Sequence, residues 1–252
     1  MREESLQIPI LFENDDFLIV DKPAPLLVHP TRPNGEETLL GLLQRQRPLP
    51  FYALVNRLDR ETSGLVIVAK SSESASRLGK MMMRREIVKI YLGIARGHVC
   101  WDRRKIQKPI GRIGLSESNL IYAKQGVMSE GEVAITECWV VKRLRETTLL
   151  RIRLETGRLH QIRVHLESEG HPILGDKLYG VDPEIYLQMC AGKGYDSWMA
   201  VLRIPRHALH ASELRFQWNE QPIHIISPLP FDLAEFVKLN AYAKSFPSER
   251  KR

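Results

Sequence analysis

The chain has 252 residues, and its 37 Lys and Arg residues against 30 Asp and Glu residues give a formal net charge of +7. Hydrophobic residues make up 43% of the chain, which excludes an intrinsically disordered protein. No run of about 18 apolar residues is present, so the sequence contains no candidate membrane-spanning helix. The first residues lack an apolar signal-peptide stretch, and the three widely spaced cysteines form no CxxC motif. We therefore expect a reduced, cytoplasmic protein that does not associate with membranes.

The first part of the chain predicts alternating strands and helices. Residues 65–69 are continuously apolar, a pattern typical of a strand covered on both faces. Serines and an early acid open the segment 71–85, as at the start of a helix. The full prediction is two short strands within residues 10–20, a helix at 38–46, a strand at 65–69, a helix at 71–85 and a strand at 87–95.

The second part predicts more strands and a long irregular excursion or hairpin at residues 102–130. The remaining elements are strands at 133–141 and 149–154, a helix at 158–169, a loop with a short helix at 179–199, strands at 210–218 and 223–226, and a helix at 231–243. No internal repeat or low-complexity linker is present. We therefore expect an α+β fold, with a mixed, largely antiparallel sheet core flanked by helices.

Several familiar motifs are absent from the sequence. It contains no GxxxxGK[ST] phosphate loop, no GxGxxG after a strand, no HExxH and no GxSxG. These absences argue against NTPases, dinucleotide enzymes and nucleophile-elbow hydrolases. The spacing of His207 and His210 leaves a histidine metal site open.

Asp59 lies in a polar, turn-forming segment directly before the buried strand, and Arg57 and Arg60 flank it. Such a loop lies at the end of a sheet, where sites are common. Nearby cations favour an ionised carboxylate, which a nucleophile or base requires. The alternative is an ordinary turn in which Asp59 and Thr62 bond the backbone.

Arg163 is predicted to lie on the apolar face of the helix at 158–169, together with Leu159, Ile162 and Leu166. A guanidinium directed toward a core needs a partner, because its unpaired burial is costly. Asp59 is the candidate partner, and the alternative is an Arg163 side chain that extends to water.

Tyr91 shares one face of its predicted strand with Lys89, because side chains alternate along a strand. A tyrosine in this position can stack on a nucleic-acid base. The alternative is a half-buried tyrosine of the sheet.

Three segments carry recognisable motifs: RLDRETSG at 57–64, KIY at 89–91 and TGRLHQIRVHL at 156–166. They resemble the HRLDxxTSG, KxY and TGRxHQIRVHL elements of the RluA family of pseudouridine synthases. Shorter matches at 21–23, 28–30, 170–176 and 209–211 extend the resemblance over residues 10 to 226. Asn56 occupies the usual histidine position and Asp21 the usual asparagine position, and we expect catalysis to survive both departures.

The resemblance implies a uridine isomerase that acts within structured ribosomal or transfer RNA. Asp59 would be the essential catalytic aspartate, Arg163 its partner, and Tyr91 the residue that packs on the target base and assists the final proton removal. Arg57, Arg60, Arg158 and His160 would contact RNA. The reaction would need neither cofactor nor metal.

We expect a single catalytic domain over residues 1–252, with its core at about 10–230 and no N-terminal S4 domain. A monomer without an obligate protein partner is the corresponding expectation. Basic clusters at 84–85, 103–105, 143–163 and 250–252 would neutralise phosphates, although they also fit ordinary solvated surfaces. Two other functions stay open, a catalytically silent RNA-binding factor and an aspartate-nucleophile hydrolase unrelated to RNA.

Overall fold

The computed structural model describes residues 6–29, 36–113, 121, 124–193 and 195–242. The basic residues 250–252, Pro30 of the VHP motif, and residues 114–120, 122 and 123 of the predicted excursion lie outside the described residues. Within these ranges, no helix has the length and apolar character needed to cross a membrane.

The described residues form twelve strands and six helices. The strands are β1 (Ile10–Glu13), β2 (Phe17–Lys22), β3 (Ala53–Leu54), β4 (Ser63–Ala69), β5 (Val88–Arg96), β6 (Arg103–Gln107), β7 (Ile110–Arg112), β8 (Gln125–Val127), β9 (Ile135–Arg143), β10 (Thr147–Leu154), β11 (Leu209–Trp218) and β12 (Gln221–Ile226). The helices are α1 (Leu39–Gln46), α2 (Ser72–Met83), α3 (Gln161–Ser168), α4 (Pro183–Cys190), α5 (Tyr195–Leu202) and α6 (Phe231–Leu239).

Ten strands build one sheet, whose main path runs β1-β2-β4-β11-β5-β10-β9-β6. Strand β12 pairs with β11 and β3 pairs with β4, while β7 and β8 form a separate small sheet. Among the described strands, every pairing is antiparallel except that of β4 with β11. The predicted α+β fold with a largely antiparallel sheet is confirmed.

Strand β4 is buried along its whole length because both faces of the sheet are covered there. Val66 and Val68 belong to the larger hydrophobic core, which also contains α1 residues. Leu65 and Ile67 face the opposite core, which contains Leu78 of α2. The continuous apolar run at 65–69 is therefore explained by burial on two sides.

Gly64 allows β4 and β11 to approach closely. Its φ is +109°, and a Cβ there would lie 2.3 Å from the carbonyl oxygen of Ala211. Only glycine adopts this conformation without strain and leaves the necessary space. The segment before Gly64, which contains Asp59, is thereby brought against the start of β11.

The prediction for residues 102–130 is confirmed in its hairpin alternative, because β7 pairs antiparallel with β8, while β6 pairs with β9 at the edge of the main sheet. The predicted start of the helix at residue 158 was wrong. Helix α3 begins at Gln161 instead of residue 158, and Leu159 is exposed rather than part of an apolar face. The Gln161 amide oxygen accepts bonds from Thr156 and from the Arg158 N–H, while its nitrogen donates to β9. These contacts hold the preceding residues in a turn.

Candidate active site

The segment that carries Asp59 is attached to strand β4 by Asn56. The Asn56 side chain accepts a hydrogen bond from the Ile67 N–H at 2.8 Å and donates to the Leu65 carbonyl at 3.3 Å. The side chain is buried and serves the backbone of β4. Asparagine at this position is therefore a structural anchor of the segment that carries Asp59.

A buried lysine secures the other side of the same segment. The Lys22 ammonium donates to the carbonyl oxygens of Pro23, Leu26 and Arg60 at 2.9, 2.8 and 3.1 Å. All three donors of the ammonium are thus used. Because Arg60 follows Asp59 directly, these bonds restrict the position of the carboxylate.

Asp59 and Arg163 are in contact, as the sequence predicts. Nη1 of Arg163 donates to Oδ2 of Asp59 at 2.8 Å. The remaining face of the guanidinium binds Asp176, with Nε to Oδ2 at 2.6 Å and Nη2 to Oδ1 at 2.9 Å. Arg163 is 8% exposed, Asp176 is fully buried, and Asp59 keeps 24% exposure. Asp59 is therefore the member of the cluster that a substrate can reach.

Asp176 is a site residue that the sequence reasoning missed. It accepts the backbone N–H groups of Leu178 and Tyr179 in addition to the two bonds from Arg163. Two features of the sequence could have identified Asp176: it is the last residue of the motif at 170–176, and a buried guanidinium needs more than one acceptor. Arginine has five N–H donors, which a single carboxylate does not satisfy.

All three groups of this cluster are charged at neutral pH. Burial opposes ionisation of Asp59, but Arg163, His160 and His207 together outweigh it and lower the pKa of Asp59 to about 2. The pKa of Asp176 is also lowered, because Arg163, His207 and the Leu178 N–H together outweigh burial. Burial also disfavours the charge of Arg163, but Asp176 and Asp59 raise its pKa. The exposed carboxylate is thus held ionised.

His160 belongs to this cluster and not to the protein surface. The Tyr179 hydroxyl accepts the Gln125 N–H at 3.0 Å and forms a second hydrogen bond with Nδ1 of His160 at 2.8 Å. Nε2 of His160 lies 3.9 Å from Oδ1 of Asp59. Burial and the Arg163 charge lower the pKa of His160, which keeps the ring neutral.

His207 lies two residues before β11 and contacts the segment that follows Asp59. Its Nε2 lies 2.7 Å from the Thr62 hydroxyl, and burial together with Arg163 lowers its pKa to about 3. His210 instead contacts Ser63 and the Ser227 carbonyl. In the part of the chain that the structure describes, no group of three or more His, Cys, Asp or Glu residues is arranged to hold a metal ion.

Tyr91 is 6% exposed and lies on β5 between Ile152 of β10 and Ala211 of β11. Burial, followed by the charge of Asp59, raises the pKa of its phenol. The phenol is therefore protonated at neutral pH and lies within electrostatic range of Asp59.

The three arginines predicted to contact RNA are exposed and lie outside the buried cluster. Arg60 pairs with Glu36, and Arg158 pairs with Glu132 and donates to the Val133 carbonyl. Arg57 has no ion pair among the described residues. These side chains are available at the surface around the segment of Asp59 and the turn before α3.

A sequence profile described as RNA pseudouridylate synthase matches residues 16–168. The chain belongs to this family. It is 37% identical over 244 residues to the ribosomal large subunit pseudouridine synthase D of Nitrosomonas europaea, covering 93% of this chain and 66% of the relative. It is 34% identical over 244 residues to the protein of the same name from Escherichia coli, covering 94% and 71% respectively. The predicted pseudouridine synthase family and enzyme class are confirmed.

The solved structure of human RNA pseudouridylate synthase domain containing 1 is similar to this one with a TM-score of 0.71. The sequences are 25% identical, and the similarity covers 92% of this chain and 89% of the human chain. Human RNA pseudouridylate synthase domain containing 4 has a TM-score of 0.69 at 22% identity, covering 90% of each chain. The sheet described above is therefore the fold of pseudouridylate synthase domains.

Proposed function

We propose that this enzyme converts a uridine of large-subunit ribosomal RNA into pseudouridine, with Asp59 as the essential catalytic aspartate. The observation that carries the proposal is an ionised, partly exposed carboxylate whose position is set by a buried arginine. The relatives named above as ribosomal large subunit pseudouridine synthases support the choice of RNA.

The reaction exchanges one bond within a single nucleotide. The bond from ribose C1′ to uracil N1 breaks, the uracil turns, and a bond from C1′ to C5 forms. N1 gains a proton and C5 loses one, so the atoms balance without an external redox partner. Asp59 either attacks C1′ or removes a sugar proton, and both routes require the charged carboxylate that Arg163 maintains.

Arg163 and Asp176 act as one rigid support for Asp59. Arg163 places Oδ2 of Asp59, while its bidentate bond to Asp176 prevents the guanidinium from turning away. Oδ1 of Asp59 then faces Nε2 of the neutral His160 ring across 3.9 Å, too far for a direct hydrogen bond. A substrate hydroxyl placed between the two atoms would contact both.

Tyr91 contributes a neutral phenol. Because burial and Asp59 raise its pKa, the phenoxide is not populated at neutral pH. We therefore assign to Tyr91 the packing of its ring against the target base and a hydrogen bond from its hydroxyl during proton removal from C5.

The uridine must leave its stack before its sugar bond is accessible, and proteins hold such flipped nucleotides with side chains that enter the vacated space. Arg57 is suited to this role because it is exposed and lies two residues before Asp59. Arg60 and Arg158 complete the contact with RNA at the surface, and His160 contacts the extruded nucleotide from within the cluster. We further propose that one chain suffices for catalysis.

The test is incubation of the purified chain with unmodified large-subunit ribosomal RNA and, separately, transfer RNA, followed by mapping of pseudouridine. We expect conversion in the ribosomal RNA, and none with the Asp59→Asn variant. Asp102→Asn is the matched control, because Asp102 is exposed and pairs only with Arg143 among the described residues. Conversion only in transfer RNA would overturn the choice of substrate. Binding without conversion in either RNA would favour a silent RNA-binding factor.

A further inference from the structure

A small hollow lies where β5 begins and β10 ends. Its volume is about 160 Å³, and its lining includes three cationic residues, Arg85, Lys89 and Arg153. Lys89 and Tyr91 are two residues apart on β5, so their side chains leave the same face of the sheet. The hollow is therefore adjacent to the proposed catalytic cleft.

Lys89 is a partly buried cation that lacks a counter-charge. A Cβ at Gly157 would lie 3.3 Å from Nζ of Lys89, which places the ammonium beside the turn that leads to His160. Among the described residues, Lys89 has neither an ion pair nor a hydrogen-bond acceptor, and burial alone lowers its pKa. A cation that is removed from water without a partner is energetically unfavourable. An anion that binds from outside would supply the missing counter-charge.

The one carboxylate among the lining residues is already engaged. Glu155 accepts a hydrogen bond from Nζ of Lys105 at 2.8 Å. Lys105 lies on β6, two strands away from β10 in the sheet. The charge of the hollow is thus dominated by its cations.

Arg85 occupies a backbone position that normally selects glycine. It follows the end of α2 with a φ of 61°, and its N–H donates to the Met82 carbonyl at 3.2 Å, while the Glu86 N–H donates to Met81 at 3.0 Å. Such left-handed positions after a helix favour glycine because a Cβ is strained there. Arg85 is exposed and has no ion pair among the described residues, so its guanidinium is free to bind an anion.

We propose that this hollow binds a backbone phosphate of the RNA substrate, next to the nucleotide that enters the cleft. Lys89 supplies a point charge from the floor, and Arg85 supplies a guanidinium from the rim. The proposal rests on the proposed function and adds to it a contact site for the RNA chain itself.

The experiment measures binding of a large-subunit ribosomal RNA transcript to the full chain over a range of salt concentrations. Lys89→Gln and Arg85→Gln should each reduce the slope of log K against log salt by about 1 and weaken binding about tenfold at 0.1 M salt. Lys89→Arg should keep the slope. Lys142→Gln is the matched control, because Lys142 is exposed on β9 opposite Leu149, toward the other end of β10.

Arg85→Gly separates a binding role from a structural one. Glycine relieves the backbone strain, so the melting temperature should stay equal or rise while the salt slope still falls. If Lys89→Gln does not fold, the exposed Arg85 variants carry the test.

Slopes equal to that of Lys142→Gln in the folded variants would overturn the proposal. Calorimetric binding of inorganic phosphate that is lost in the Lys89 or Arg85 variants, with an unchanged RNA slope, would overturn the RNA assignment and indicate a site for free phosphate. A reduced slope in a protein that converts no uridine would support the phosphate site and refute only the isomerase activity.

Discussion

Replacement of Asp59 by asparagine tests the charged state of the site and its chemistry together. In the folded protein the pKa of Asp59 is about 2, whereas an aspartate in an unfolded chain titrates near 3.9. The carboxylate is therefore more easily ionised in the native state, which corresponds to about 2 to 3 kcal/mol of stability at pH 7. Asp59→Asn should lose this contribution, and the melting temperature should fall by about 4 to 10 °C.

The pH dependence has a definite sign. A lowered native pKa stabilises the fold fully above the unfolded pKa, and this stabilisation is lost as pH falls toward the native pKa. The difference in unfolding free energy between wild type and Asp59→Asn should be full at pH 7, about half as large at pH 3 and small near pH 2. Urea titrations at a series of pH values measure it, and conversion assays at pH 7 should show no product. Equal stabilities at pH 7, a difference that persists unchanged at pH 3, or retained turnover would refute the reasoning.

Three further changes probe the site and its support. Arg163→Ala leaves Asp59 and the fully buried Asp176 without their shared cation. The free energy of unfolding, measured by urea titration, should therefore fall by about 3 to 5 kcal/mol. A loss below about 1 kcal/mol would contradict the buried cluster. Gly64→Ala should lower the melting temperature strongly, because the added methyl would lie 2.3 Å from the Ala211 carbonyl at a φ of +109°; an unchanged value would contradict that close approach. Tyr91→Phe should keep the fold and reduce kcat. Because burial and Asp59 raise the pKa of the Tyr91 phenol, the pH profile of the wild-type rate should show no tyrosine ionisation between pH 6 and 9.

Asp59 and Arg163 could be predicted from the sequence because the residues next to each of them indicate its environment. A polar turn before an apolar strand identified Asp59, and an arginine in a segment that must face the core indicated the need for a carboxylate. The structure confirms the contact between Asp59 and Arg163. The position of His160 was not foreseeable, because its left-handed backbone follows from bonds between Gln161 and strand β9.

The sequence by itself determined the family and most of the longer strands and helices, since hydrophobic period and motif spacing are properties of neighbouring residues. Only the tertiary structure decided how the charges are balanced. Asp176 shares Arg163 with Asp59, Lys22 binds three carbonyls around the segment of Asp59, and Lys89 has no partner among the described residues. These relations depend on which distant segments meet when the sheet forms. The cost of burying a charge is settled by its spatial neighbours, which the linear order of residues does not reveal.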